Sequence, residues 1–190
     1  MEVALELFAE KGYHAASIKD IIQKADIAKG TFYLHFEGKF DLLERIVLSR
    51  IDILNEHVKV LDISRPGPIS EIRDIYKNFV NALAGIKKFK QFVRIVLSEN
   101  IDTDTSLTEQ VNAFFDSTID MTAKYIKTAQ DMGRVFPHLD NEISAKCIVG
   151  SVRELLYRWA VREEKIDFQK ALPGMLDLYL NGLLVERQQD

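Results

Sequence analysis

Residues 28–36 read Ala-Lys-Gly-Thr-Phe-Tyr-Leu-His-Phe. On a helix, Ala28, Phe32 and Phe36 share one face and should pack inward, while Lys29, Gly30, Tyr33 and Leu34 cluster on the opposite face. A solvent face carrying Tyr and Leu is unfavourable unless it meets a partner. Gly30 weakens a helix by roughly 1 kcal/mol relative to alanine, but its missing side chain lets a partner approach the backbone. The Thr31 and Tyr33 hydroxyls can donate to phosphate oxygens, and Lys29 can reach a phosphate or a guanine edge. The chemistry on offer is therefore recognition of nucleic acid.

Such a helix must be held by others. Ser17 precedes Ile18, Ile21, Ile22 and Ala25, which fit helical spacing, and Ser17 with Asp20 makes an approximate capping box. The first N–H groups of the helix that Ser17 opens point outward and can hold a phosphate. Asp26 follows at the turn; aspartate tolerates the left-handed backbone better than most residues. Before Ser17, Val3, Ala4, Leu7 and Phe8 form an apolar stripe that Lys11-Gly12 ends. Two short helices joined by a tight turn, with a third to complete a core, make a helix-turn-helix over Ser17–Phe36. Charge supports this only weakly. The chain has a net charge of −4. Between Lys11 and Lys39, however, Lys11, Lys19, Lys24, Lys29 and Lys39 outnumber Asp20, Asp26 and Glu37.

The stretch Ser-Ile-Lys-Asp-Ile-Ile-Gln-Lys-Ala-Asp-Ile-Ala-Lys-Gly-Thr-Phe-Tyr-Leu-His-Phe, with Lys39 after it and Ala-Leu-Glu-Leu-Phe-Ala-Glu-Lys-Gly-Tyr before it, resembles the DNA-binding domain of the TetR family of transcriptional regulators. The resemblance covers about the first 45 residues; beyond them only the all-helical pattern and length agree. It implies that Thr31, Tyr33, His35 and Lys39 contact the sugar-phosphate backbone, that Lys29, Gly30 and Leu34 lie near base edges, and that Ser17 anchors a phosphate. It departs from the family at Asp26, where glycine is usual. The family also usually has a longer, often basic N-terminus ahead of its first helix. Here Met1 stands almost inside that helix: either the start is misplaced or trimmed, or the arm is absent, in which case DNA affinity is expected to be lower.

The remainder reads as helices throughout: a long one from about Lys39 to Leu61, stripes at Ile72–Leu83 and Phe89–Leu97, a helix opened by Ser106–Glu109 and ending near Gly133, then about Glu142–Glu163 and Phe168–Arg187. Arg65-Pro66-Gly67-Pro68 and Asp102–Thr105 punctuate them. Pro173 should kink the last helix or delay its start. The expected fold is all-α, with a helix-turn-helix domain over 1–45 and an effector and dimerisation domain over 46–190. A TetR-like protein would hold a small-molecule pocket among the later helices, mostly apolar with a few polar groups. Candidate lining residues are Tyr76, Phe79, Phe92, Phe115, Met121, Tyr125 and Trp159. Arg94 or Arg153, if inward, would favour an anionic or carbonyl-bearing ligand. The last helix carries Leu172, Met175, Leu176, Leu178, Tyr179, Leu180, Leu183 and Leu184, covering more than one face, so it must be buried on both sides. Pairing of the last two helices with a second copy answers this, with Gly150 and Ser151 allowing close approach. Two-fold symmetry then predicts palindromic double-stranded operator DNA, with recognition helices about 34–36 Å apart or a multiple of that. A small-molecule effector, largely apolar, is expected to lower operator affinity.

Other classes find little support. No apolar run reaches the roughly 18 residues of a membrane span, and the acidic start (Glu2, Glu6, Glu10) is unlike a signal peptide. One cysteine, Cys147, forms no internal disulfide, reads as a small core residue and suits a cytoplasmic protein. His14, His57 and His138 are scattered, which argues against a metal site. With no glycine-rich phosphate loop or nucleophile elbow, no cofactor and no catalysis is expected. The alternatives are an all-helical enzyme or a protein-binding adaptor.

Overall fold

A computed structural model of the chain describes residues 1–61, 69–98 and 105–183. Among these residues there are nine helices: α1 (Glu2–Lys11), α2 (Ile18–Ala25), α3 (Lys29–His35), α4 (Lys39–Val58), α5 (Ile69–Gly85), α6 (Phe89–Leu97), α7 (Thr105–Asp131), α8 (Asn141–Ala160) and α9 (Phe168–Leu183). The Arg65–Pro68 punctuation, residues 102–104 of the polar loop, and Leu184 to Arg187 lie outside the described residues. No described helix is long and apolar enough to cross a membrane.

Helix ends follow local chemistry. α1 stops where Gly12 takes φ 83° and its N–H returns to the Phe8 carbonyl, a conformation glycine adopts without strain. α2 begins on the Ser17 capping box and ends at Asp26, which sits in the left-handed region (φ 52°, ψ 51°). α8 begins on Asp140, whose carboxylate accepts from the Ile143 N–H at 2.9 Å. One expectation is corrected: α7 already includes Thr105, so the Ser106–Glu109 pattern lies inside its first turn. Pro173 sits within α9 and does not delay its start at Phe168; lacking an N–H, it cannot make the helical bond back to the Gln169 carbonyl.

The N-terminal helices enclose Leu5, Phe8, Ala16, Ile21, Phe32, Leu42, Leu43 and Val47. That core does not break at residue 45. It runs along α4 through Leu54 and Val58 into Tyr76, Phe79, Phe92, Val93 and Leu107, and ends on Leu172, Leu176 and Leu180 of α9. A second cluster (Ala123, Ile126, Ala129, Val135, Ala145) joins α7 to α8. α6 lies between α1 and α8, and α4 touches α1, α5, α6 and α7. The last helix has two apolar sides, as its pattern requires: Leu172, Leu176 and Leu180 are buried, whereas Leu178 is 71% exposed. On α8, Ile143 is exposed and Cys147 is exposed rather than core, because it falls on the outward side of the α8 wheel, opposite Ala145 and Val149.

Candidate nucleic-acid interface and apolar cavity

The α2–turn–α3 unit is held by side chains that finish its backbone. The Asp20 N–H donates to Ser17 Oγ at 3.1 Å, while the Ser17 N–H and Oγ–H both donate to Asp20 Oδ2, at 3.0 and 2.8 Å. The two Ser17 donors, the backbone first, and then Lys11 hold the Asp20 carboxyl below the usual carboxylate range. The Ser17 hydroxyl proton is therefore directed at Asp20. At Asp26 the turn closes with the Ile27 N–H on the Ile22 carbonyl at 3.2 Å.

α3 is anchored by one residue. Phe32 is fully buried, its ring tilted against Phe36 at 5.5 Å. Ala28, expected inside with them, is the exposed N-cap residue instead. Lys29, Gly30, Thr31, Tyr33, Leu34 and His35 are exposed, with Leu34 at 79% and Tyr33 at 49%. A Cβ on Gly30 would meet nothing within 4 Å, so packing inside the chain does not account for this glycine.

Lys39 does not join that surface. Its Nζ donates to the carbonyls of Tyr13 (2.7 Å), Ala16 (2.9 Å) and His14 (3.2 Å) and lies 4.4 Å from the Tyr13 ring centre. An ammonium has three donors, and all three are engaged with the α1–α2 connection. Partial burial pulls its pKa below the ordinary lysine range. The expected phosphate contact is replaced by a structural one.

A cavity of about 150 Å³ opens among α4 to α9. Of the expected lining residues, Tyr76, Phe79, Phe92, Phe115, Met121 and Tyr125 face it, together with Ile51, Leu54 and Val58 of α4 and Tyr179 of α9. Arg94, Arg153 and Trp159 do not. Arg94 is turned to backbone, donating to Ala160 O at 2.8 Å and Ala9 O at 3.5 Å and pairing with Glu163. Arg153 is exposed, stacked on the outer side of Phe115 at 4.8 Å. Trp159 packs between Phe89, a lining residue, and Phe168, with ring centres 6.2 and 4.8 Å away. Among the described residues, no charged side chain lines the cavity. Burial, with the neighbouring Tyr179 adding to it, pushes the Tyr76 phenol up to about 12.

Ion pairs that the sequence reading passed over tie this region to the N-terminal helices. Glu6 of α1 meets Lys88 at 2.5 Å and Lys24 of α2 at 3.3 Å. Lys88 also donates to Glu2 O at 3.2 Å, and Arg50 of α4 pairs with Glu2. Lys88 is the N-cap of α6 in a left-handed conformation (φ 57°). It directly precedes Phe89, a lining residue. Its lysine pair, first Lys88 and then Lys24, holds the Glu6 carboxyl below its ordinary value. The acidic start of the chain was legible; its partners are 18 to 82 positions away and carry no local signal.

Residues 1–46 match the family model described as bacterial regulatory proteins, tetR family. The fatty acid metabolism regulator protein of Bacillus subtilis is 22% identical over 184 residues, covering 96% of this chain and 93% of that protein. The structure of the Bacillus subtilis regulator FadR in complex with stearoyl-CoA has a TM-score of 0.72 at 22% identity, covering 95% of this chain and 96% of that one. The SmeT–triclosan complex has a TM-score of 0.77 at 21% identity, covering 97% and 90%. SmeT is the repressor of a Stenotrophomonas maltophilia multidrug efflux pump. In both structures the likeness is one of fold along nearly the whole chain.

Proposed function

We propose that this chain is a TetR-family repressor that binds a palindromic operator as a homodimer and lets go when an apolar effector fills the cavity; the match of residues 1–46 to that family's model supports the family reading. The observation that carries this reading is the outward face of α3, where Tyr33 and Leu34 stand exposed beside Lys29, Gly30, Thr31 and His35 on a helix fixed from behind by Phe32. Thr31, Tyr33 and His35 serve the phosphates, and Lys29, Gly30 and Leu34 face the base edges. Ser17 contributes through the N–H groups its helix presents, its own hydroxyl proton being given to Asp20.

Triclosan is largely apolar, and so is the stearoyl chain of stearoyl-CoA, the ligands that two of the similar proteins hold; the described lining here is apolar as well. α4 carries the signal: it starts beside the helix-turn-helix and lines the cavity farther on with Ile51, Leu54 and Val58. A ligand that favours one position of α4 biases the spacing of the two heads. The test is fluorescence anisotropy with DNA from beside the protein's own gene, at fixed salt. Saturable binding that survives excess unrelated DNA, and weakens when a small apolar ligand is added, is expected. Binding no tighter than to unrelated DNA removes the repressor reading.

A further inference from the structure

The cavity's hydroxyls are not equivalent. Thr118 Oγ1 donates to Phe114 O and Thr122 Oγ1 to Thr118 O, both at 2.8 Å. The Tyr179 hydroxyl donates to Cys147 O at 3.0 Å and shares a 2.7 Å contact with Ser151 Oγ. Tyr125 is engaged within the chain. Tyr76 differs: it lines the cavity, is only 7% exposed, and its hydroxyl makes no hydrogen bond to any described residue. An O–H at the wall of an apolar cavity, with no acceptor among the described residues, is usually answered by a ligand or a water. Among the described residues nothing charged lines the space, and an ion buried without a partner is strongly disfavoured.

We infer that Tyr76 is the specificity-determining anchor of the effector site, donating its hydroxyl proton to a carbonyl oxygen on an otherwise apolar, uncharged ligand group. This rests on the cavity being the effector site. Ketones, esters and thioesters fit; a carboxylate inside the cavity does not. The phenol is protonated through the physiological range, as tyrosine ordinarily is, and burial raises its pKa further. The donor is therefore present whatever the pH of the cell. At about 150 Å³ the space as it stands takes a group of roughly benzene size. A longer effector must part the helices further, yet its carbonyl still has one donor to find.

The test uses three probes of matched size on the full chain: acetophenone, ethylbenzene and benzoate, with dissociation constants from NMR titration. Acetophenone should bind at least ten-fold more tightly than benzoate. In Tyr76→Phe the preference for acetophenone over ethylbenzene, a ratio taken within one protein, should fall about ten-fold, as loss of one buried hydrogen bond implies. In the unmodified chain, acetophenone's methyl protons should show nuclear Overhauser contacts to the Tyr76 ring. An unchanged ratio, missing contacts to Tyr76, or benzoate binding as well as acetophenone overturns the anchor while leaving the cavity reading intact. If ethylbenzene and acetophenone both fail to bind the unmodified chain, the cavity reading falls and the anchor with it.

Discussion

Two residues, both expected at phosphates, separate into opposite roles. Tyr33 stands half exposed on the outward face of α3, so Tyr33→Ala should weaken binding to all DNA sequences alike, by about ten-fold for one lost hydrogen bond. A panel of operator variants titrated in parallel checks this; a loss confined to one base position contradicts it. Lys39 faces three carbonyls instead. Lys39→Met should lower stability by about 1–3 kcal/mol, the penalty of leaving buried acceptors unsatisfied, as read from urea unfolding. The slope of log affinity against log salt should not change, because that slope counts phosphates neutralised. The motif made Lys39 visible in the sequence but not where it points. A side chain of four methylenes can serve the solvent or fold back, and the carbonyls that decide lie 23 to 26 positions earlier. Arg94 misled for the same reason: its sequence neighbours are apolar, while its acceptors Ala9 and Ala160 belong to other helices.

Helices were more legible than their contacts. Ser17, Asp26 and Gly12 each mark an end by a local requirement, and each end lies where that requirement puts it. The apolar stripes of α5, α6 and α7 likewise sufficed for six cavity residues, because a stripe at helical spacing must face the interior. What no stripe reveals is how α1 is fastened to the α5–α6 corner. Glu6 does this, between Lys88 and Lys24. Its carboxyl pKa is lowered in the folded chain. The stability that Glu6 contributes is therefore complete above its ordinary value of 4.5 and is lost as pH falls through the lowered folded value. Glu6→Gln should be less stable than the unmodified chain near neutrality, and the two denaturation midpoints should converge as the pH drops below 4.5. A constant gap down to acid pH would mean that Glu6 acts by packing, not charge.

For the molecule as a whole, α8 and α9 each leave an apolar residue outward: Leu178 is 71% and Ile143 57% exposed, and a Cβ on Gly150 would meet nothing within 4 Å. A second copy seated on α9 would cover Leu178. Leu178→Glu should shift the sedimentation equilibrium toward monomer and weaken operator binding together, since two half-sites need two heads; a monomeric unmodified chain at micromolar concentration counts against the dimer. The α9 pattern gave notice that both faces need burial, whereas Ser151 and Tyr179, also on these helices, turned out to be bonded to each other at 2.7 Å within one chain.

The aromatic stack behind the cavity gives the protein an optical property. Trp159 is the chain's single tryptophan, and it touches both Phe89 of the cavity wall and Phe168 at the start of α9. Indole emission follows the polarity and packing of its surroundings. Its spectrum is therefore a label-free gauge of whether that wall has moved, in the same sample from which operator affinity is read.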